Sequence, residues 1–467
     1  MVFSSLTFLF AFLPITAALY FIIPSRRLRN AVLLVASLIF YAWGEPLYIL
    51  LLLGATLEGW LGGMLIAMTE SPRGRRRALA FVTVLLLANL AAFKYLGFAC
   101  EILTPVFPAL AEVKALALPI GISFYTFQIL SYVIDLYRGK VRLQRSFFRL
   151  LLYVSLFPQL IAGPIVRYET VETALVSRKE TWNDAGEGVR RFIYGLSKKV
   201  ILANSVARIA EIIYTGDAAV FGTAAYWLAA VCYTLQIYFD FSGYSDMAIG
   251  LGQLFGFRFP ENFNYPYISR SVTEFWRRWH ISLSTWFRDY VYIPLGGNRV
   301  STVKWIRNIL IVWALTGLWH GAAWNFVLWG LYYAALLLIE KAIPERTLKK
   351  LPSVLRWAGT MLLVTLGWVL FSRTEPGALG DALQSMFSLR ATNWGALAQY
   401  HTDALPYAVM IPVAIALSFP VFRRPIRYLN DHAWGVAVLN LLCAALLLVC
   451  VAMLITESFN PFIYFRF

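Results

Sequence analysis

Charged residues are scarce in this chain. They make up 14% of its 467 residues, against about 25% in an ordinary soluble protein. Hydrophobic residues make up 60%, and the mean hydropathy is +0.65. So few charges cannot cover the surface of a soluble protein of this length, which excludes soluble, disordered and fibrous proteins. The composition predicts an all-α polytopic membrane protein, with one integral-membrane domain over residues 1–467.

Cysteine and acidic residues are also few. The four cysteines form no C-x-x-C pair, so neither a disulfide framework nor a zinc site is indicated, and we expect no metal. Cys232, Cys443 and Cys450 lie in apolar runs and are predicted to be buried as small hydrophobic side chains. There are 41 Lys and Arg against 25 Asp and Glu. Basic cytoplasmic loops explain this excess better than nucleic-acid binding does.

Several familiar motifs are missing. No P-loop, Rossmann glycine pattern, G-x-S-x-G elbow or H-E-x-x-H is present, so any chemistry rests on histidine and an activated substrate. The first apolar run has no basic residue before it, since the first basic residues are Arg26, Arg27 and Arg29. A cleaved signal peptide has the opposite order, so we expect a retained first span with its N-terminus outside.

About eleven stretches are apolar enough to be transmembrane or re-entrant helices. They are 2–23, 30–43 with 46–68, 78–97, 117–137, 148–165, 192–214, 224–253, 309–339, 354–372, 405–421 and 433–456. The stretch 148–165 contains Pro158, Gly163 and Pro164 and lies between two basic regions, which predicts a re-entrant element. The stretch 309–339 is long with basic flanks, which predicts a helical hairpin or a bent pair of helices that returns to the same side.

Loop charges predict the topology. Basic loops lie in the cytoplasm by the positive-inside rule, and loops with more acidic residues lie outside. The loops predicted inside are 25–29, 70–77, 138–149, 257–307 and 341–350, and those predicted outside are 98–116, 373–404 and 457–467.

Two histidines have distinctive surroundings. His320 is a lone ionisable residue in an apolar run. It is either a functional group, as ionisable residues in a membrane commonly are, or a histidine satisfied by a neighbouring helix. On one continuous helix it would share a face with Trp313, Thr316, Gly317 and Trp324. His280 lies where apolar and aromatic residues recur at helical spacing, which predicts an amphipathic helix over 270–290 at the cytoplasmic interface. The residues alone favour an interfacial His280 without chemistry.

Polar side chains also interrupt the run around FDFSGYSDM. Asp240, Ser242, Tyr244 and Asp246 are either ion-paired structural groups or the lining of a polar tunnel, and the kink that we expect at FSGYS favours the tunnel. The other two histidines, His401 and His432, lie in or beside loops and are predicted to be on the surface.

Several long segments resemble the membrane-bound O-acyltransferases. They are FDFSGYSDMAIGLG, ENFNYPYISRSVTEFWRRWHISLSTWFRDYVYIPLGGNR and GLWHGAAWNFVLWG. MVFSSLTFLF, LPIGISFYTFQILSYVIDLYRG, FPQLIAGPIVR and NPFIYFRF are similar to the bacterial branch that acetylates exported polysaccharides. The resemblance runs nearly end to end and is densest over 117–330.

The resemblance implies an enzyme. It assigns the principal catalytic role to His320 and a second role to His280, in a protein whose helices surround a central funnel. It implies acetyl-coenzyme A as the cytoplasmic donor, and a partner protein outside the inner membrane that completes transfer to the polymer. The acceptor stays open among alginate, cellulose and peptidoglycan.

If acetyl-coenzyme A is the donor, two further sets of residues become candidates for binding the substrates. Arg277, Arg278 and Arg288 become candidates for binding the coenzyme A phosphates, although anchoring to anionic membrane lipid is an alternative role. Asp240, Ser242, Tyr244, Asp246 and Trp324 become candidates for lining the substrate tunnel. A polysaccharide-export subunit is the rival function, but no inverted repeats of the transporter kind are visible.

Overall fold

The computed structural model is built of helices. It describes residues 1–216, 218–375, 377–395, 405–457, 459–461 and 463, and every regular element within these ranges is helical. Four of the described helices are long and apolar enough to cross a membrane, and a pair bent by 59° would make a fifth. They are Ile49–Met68, Pro72–Lys94, Ser353–Ser372 and Ala433–Thr456, with the bent pair Pro406–Leu417 and Pro420–Asn430. The all-helical class is confirmed, whereas the eleven spans, the funnel and the sidedness of the loops stay predictions.

Backbone contacts divide the chain into two compact units. The first comprises Met1–Phe192 and Ser245–Pro260. Its helical elements are Phe8–Phe12, Leu13–Ile22, Arg26–Ala42, Ile49–Met68, Pro72–Lys94, Leu96–Leu103, Pro108–Glu112, Ile122–Tyr137, Phe147–Ser155, Phe157–Leu160, Tyr168–Val176 and most of Trp182–Ser197.

The predicted re-entrant stretch 148–165 belongs to the first unit and is not a simple span. Helix Phe147–Ser155 has nine residues, far below the roughly 20 that cross a bilayer. The chain after it is buried and forms only the short helix Phe157–Leu160, and two of its backbone groups bond to side chains. Phe157 N donates to Ser37 Oγ at 3.1 Å, and Tyr153 donates through its hydroxyl to Val166 O at 2.9 Å. These contacts are what a re-entrant element requires.

An ion cluster ties the first basic loop to the segment before helix Trp182–Ser197. The Glu180 carboxylate accepts hydrogen bonds from Tyr20 and Arg26, and it lies 3.2 Å from Arg29 and 3.4 Å from Arg178. Burial alone would raise the pKa of Glu180. The hydrogen bonds from Arg26 and Tyr20 outweigh that effect and lower the pKa to about 2.

The second unit comprises Ile193–Tyr244 and Glu261–Phe467. Its helical elements are Lys198–Ala203, Asn204–Thr215, Ala218–Leu254 as far as Tyr244, Pro266–Ile268, Val272–Arg278, Ile281–Phe287, Arg288–Tyr292, Thr302–His320, Trp324–Ala342, Glu345–Lys350, Ser353–Ser372, Ala378–Phe387, Leu405–Ala408, Met410–Leu417, Pro420–Phe422, Arg423–Asn430 and Ala433–Thr456. The three cysteines that we predicted to be buried in apolar runs are buried.

Stretch 309–339 is a hairpin, as the charges on both flanks predict. Helices Thr302–His320 and Trp324–Ala342 pack against each other. A Cβ atom at Gly317 would lie 2.3 Å from Phe326 O, and one at Gly330 would lie 2.3 Å from Trp313 O. The two glycines therefore let the backbones approach more closely than any larger residue allows.

The kink predicted at FSGYS is wrong. Helix Ala218–Leu254 leaves helical geometry only at Gly222, where φ is 54°. Gly243 remains helical, and a Cβ atom there would lie 2.7 Å from Gly195 O. This glycine therefore serves close packing against a neighbouring helix rather than a bend.

Candidate active site

A small cavity in the second unit contains His320. About 20 Å³ of free space is enclosed, enough for one water molecule. The lining residues are Ile237, Asp240, Phe241, Trp279, His320, Trp368, Phe371 and Ile463. A reacting group placed here would meet one imidazole and one carboxylate in otherwise apolar surroundings.

His320 is held by aromatic rings at the end of its helix. Gly321 leaves helical geometry, with φ −174° and ψ 157°, so His320 is the last helical residue. Its side chain is 7% exposed. The imidazole meets Trp319, Trp329 and Phe371 edge-on, with ring centroids 4.9, 5.1 and 5.2 Å away. These contacts restrict the ring without adding a charge beside it.

The predicted helical face that joins His320 to Trp324 is wrong. The helix ends at His320, and Trp324 begins the next helix. Trp324 is 56% exposed and does not line the cavity. Gly321, directly after the last apolar turn, is the signal that would have predicted this break.

His280 lies between two short helices rather than within one amphipathic helix. Val272–Arg278 ends before it and Ile281–Phe287 begins after it. His280 itself has a left-handed backbone with φ 43° and ψ 55°, which a residue other than glycine adopts at a cost of about 1–2 kcal/mol. Only 1% of it is exposed, so the prediction of an interfacial histidine is wrong.

Asn262 fixes the orientation of His280. Asn262 Oδ1 accepts hydrogen bonds from Ser282 N at 3.2 Å and Ser282 Oγ at 2.8 Å. The same oxygen lies 3.1 Å from His280 Nδ1. Because the Ser282 N–H can only donate, the atom facing it is the amide oxygen, and His280 Nδ1 must then donate as well. Nε2 of the neutral ring is therefore left as a proton acceptor.

The charge state of His280 follows from its surroundings. Residues 261–301, which include it, contain none of the candidate membrane spans. Burial, and after it the neighbouring His320, lowers the pKa of His280 well below its usual value. The imidazole is therefore neutral at neutral pH, as a group that accepts a proton must be.

Shared ring neighbours bring the two histidines together. The centroid of Trp319 lies 5.7 Å from that of His280 and 4.9 Å from that of His320. Phe241, which lines the cavity, lies 4.6 Å from His280. Residues 40 positions apart in the sequence thus meet around one aromatic cluster.

The polar residues of FDFSGYSDM do not act as one group. Asp240 lines the His320 cavity and pairs with Lys199 at 2.8 Å. Asp246 belongs to the first unit and pairs there with Arg191 at 2.9 Å. Ser242 and Tyr244 are buried but do not line that cavity. Both carboxylates are thus ion-paired, and only Asp240 is placed to face a substrate beside His320.

The three candidate arginines differ in what they contact. Arg278 pairs with Glu274 at 2.9 Å, and Arg288 pairs with Asp289 at 2.7 Å. Arg277 is exposed. None of the three is among the described residues that line the His320 cavity. Their part in donor binding stays a prediction; Arg277 and Arg288 are both exposed, and Arg278 is less so.

Three polar residues that we did not select from the sequence support the site. Asn262 orients His280, and Lys199 pairs with Asp240. Asn325 donates to Phe371 O at 3.0 Å and so fixes a ring beside His320. Asn262 and Asn325 lie within the segments that carry the family resemblance, whereas no local pattern indicates Lys199.

Two other histidines were predicted to lie on the surface, and no metal site was expected. His432 lies beside the last long helix, where its Nδ1 is 2.8 Å from Tyr428 O. His401 lies outside the described residues. Within the ranges that the structure covers, no group of three or more His, Cys, Asp or Glu side chains could hold a metal ion.

The long apolar helices are those of a helical, multi-pass membrane protein, and comparison with known proteins gives its class. Residues 139–365 match the model of the membrane-bound O-acyltransferase family. The chain is 39% identical to a probable alginate O-acetylase of Pseudomonas putida over the whole of both chains. It is 41% identical to the protein of that name from Pseudomonas aeruginosa, over 91% of this chain and 82% of that one. It is 33% identical to a peptidoglycan O-acetyltransferase of Helicobacter pylori, over 84% and 81%.

The chain therefore belongs to the membrane-bound O-acyltransferase family and is an O-acyltransferase. The resemblance of the sequence segments is confirmed. This family membership argues against the rival function of a polysaccharide-export subunit.

Proposed function

We propose that the chain transfers an acetyl group from acetyl-coenzyme A to an exported polysaccharide, and that alginate is the first acceptor to test. The names of the relatives that match over all or most of the chain support this choice. The observation that carries it within the structure is a buried histidine, His320, that lines a cavity, with a second buried histidine, His280, packed against the same aromatic cluster. A cytoplasmic donor and an exported acceptor place the protein in the bacterial inner membrane.

His320 acts as the general base. The acceptor hydroxyl attacks the thioester carbonyl carbon, and the neutral imidazole takes the hydroxyl proton. The C–S bond breaks, the new ester bond forms, and the proton passes to the departing thiolate of coenzyme A. In a second route His320 first receives the acetyl group and then passes it on. The geometry is compatible with both routes.

His280 and the arginines assist this reaction. With Nδ1 engaged by Asn262, His280 presents Nε2 for positioning the donor or relaying a proton. Arg277, which is exposed, binds a phosphate of coenzyme A, and Arg278 and Arg288 contribute where their acidic neighbours allow. A partner protein outside the membrane completes the transfer to the polymer.

Peptidoglycan is the second acceptor to test. The relative from Helicobacter pylori, which carries that name, matches over most of its length. Both polymers offer sugar hydroxyls, so the same base chemistry serves either.

The test uses the purified protein with labelled acetyl-coenzyme A and oligomers of alginate, cellulose or peptidoglycan. Release of free coenzyme A reports use of the donor, and label on one oligomer identifies the acceptor. His320→Ala should lower transfer by about 10²–10⁴-fold, the usual contribution of a general base. His432→Ala, which removes a histidine remote from the cavity, is the matched control and should keep the parental rate. Transfer by His320→Ala within threefold of the parent would refute the assignment.

A further inference from the structure

A buried ion pair in the second unit holds the backbone of the segment that follows the last helix. We call Phe459–Pro461 together with Ile463 the tail segment. Lys199 Nζ lies 2.8 Å from Asp240 Oδ1, and the two side chains are 2% and 3% exposed. Lys199 also donates to Pro461 O, and Ile463 N donates to Asp240 Oδ2 at 2.9 Å. One ion pair therefore binds both a carbonyl and an N–H group of the tail segment.

Further contacts fix the same segment. Asn204 accepts from Lys199 Nζ at 2.9 Å and donates to Asn460 Oδ1 at 3.2 Å. Arg208 lies 4.9 Å from the ring centroid of Phe459 and pairs with Glu457 at 2.9 Å. Three successive described positions, Phe459, Asn460 and Pro461, are thus each held by a side chain from helical elements 198–215.

These contacts reach the His320 cavity through Ile463. Six of the other lining residues lie within helices, whereas Ile463 is held by the hydrogen bond from its N–H to Asp240. Asp240 lines the cavity too. If the ion pair were lost, the wall formed by Ile463 would therefore lose its anchor while the helical walls remained.

We propose that Lys199 and Asp240 are positioning residues for acyl transfer, which clamp the tail segment so that Ile463 completes the cavity wall beside His320. The proposal rests on the proposed role of His320. It predicts that loosening the tail segment slows the chemical step, since a reacting group held less firmly beside the base reacts more slowly.

The first test measures the position of the tail segment without any activity. Ile463→Cys is made in a background in which the native cysteines are replaced, and its reaction with a maleimide is timed in detergent. The buried position should react slowly. Lys199→Met with Asp240→Leu removes the pair without leaving a lone buried charge, so the fold should persist. The cysteine should then react about tenfold faster or more, because each lost hydrogen bond to a charged group shifts an opening equilibrium by roughly that factor.

A matched control removes a different buried lysine. Lys94→Met changes a buried lysine of the first unit that contacts Ser123 at 3.1 Å, and it should leave the reactivity of the cysteine unchanged. If the double variant does not fold, Asn204→Ala removes one anchor only and should give a smaller rise. An unchanged rate in the folded variants would overturn the clamp.

The second test measures transfer with residue 463 as isoleucine. The double variant should lower kcat by about tenfold or more, with a smaller change in the KM for acetyl-coenzyme A. Ile463→Ala, which leaves the ion pair intact, should lower kcat in the same way. Faster labelling with unchanged kcat would show that the clamp does not serve catalysis, and would overturn the positioning role. Full activity of His320→Ala would instead refute the proposed function and leave the labelling result intact.

Discussion

Asn262 offers the sharpest test of how His280 works. Its amide oxygen accepts from His280 Nδ1 and from both the N–H and the hydroxyl of Ser282. Asn262→Ala removes all three contacts. Because Asn262 is only 1% exposed, bulk water does not readily replace them. Asn262→Asp keeps an acceptor there and adds a negative charge. The first variant tests orientation, and the second tests the charge state of the imidazole.

The contacts of Asn262 determine how large the effects of the two variants should be. A buried donor left without its acceptor costs about 1–3 kcal/mol. Since 1.36 kcal/mol is a factor of ten in rate, Asn262→Ala should lower kcat by about tenfold to a hundredfold, if the imidazole bears the loss of one such contact. For Asn262→Asp, burial and then His320 lower the pKa of His280 in the parent. A carboxylate in hydrogen-bond contact favours the imidazolium and should raise that pKa.

The assay is the pH dependence of kcat/KM for acetyl transfer. In the parent, protonation of His280 should not limit activity near neutral pH, because its pKa is low. In Asn262→Asp the fall in activity on acidification should begin at a higher pH. Asn308→Ala is the control, since it removes another buried amide, which contacts Leu295 O and Gly297 O, and should not shift the profile. An Asn262→Asp profile that overlays the parent would refute the need for a neutral His280.

Three further predictions concern packing, donor binding and acid stability. Gly317→Ala should force apart the helices that carry His320 and cost about 1–3 kcal/mol, whereas Gly359→Ala, in open space, should leave the thermal midpoint unchanged or raised. Arg277→Gln should raise the KM for acetyl-coenzyme A about tenfold. Arg278→Gln should raise that KM less, because its side chain is already paired with Glu274, and equal effects on KM would contradict the distinction. Glu180→Gln should lower the thermal midpoint at pH 7. Because the folded pKa of that carboxyl is depressed from 4.5 to about 2, the difference from the parent should disappear as the pH falls through that interval.

Much of the helical framework could be predicted from the sequence. Apolar runs located Ile49–Met68 and Ala433–Thr456, and the basic flanks of 309–339 required a chain that returns to its starting side. His320 was found because one ionisable residue in an apolar run is conspicuous. These features are local, since each depends on residues adjacent in the sequence.

The features that the sequence did not predict depend instead on contacts between distant residues. His280 interrupts a helical spacing with a left-handed backbone, and no residue pattern indicates a positive φ at a histidine. Its partner Asn262 lies 18 residues earlier, and only the folded chain brings the two together. Lys199 meets Pro461, and Asp240 meets Ile463, across much of the sequence. Contacts of this kind are set by tertiary packing, which hydrophobic periodicity does not record.

The two histidines are held in different ways, and this difference agrees with different tasks. His280 is fixed by a hydrogen-bonded side chain that also defines which nitrogen carries its proton. His320 is surrounded by the edges of Trp319, Trp329 and Phe371, which restrict the ring and leave room beside it for about one water molecule. Water beside an activated thioester would hydrolyse it, so an apolar enclosure favours transfer over loss of the acyl group. The proposed base therefore lies among rings, whereas His280, which packs against Trp319 as His320 does, has its proton position set by Asn262.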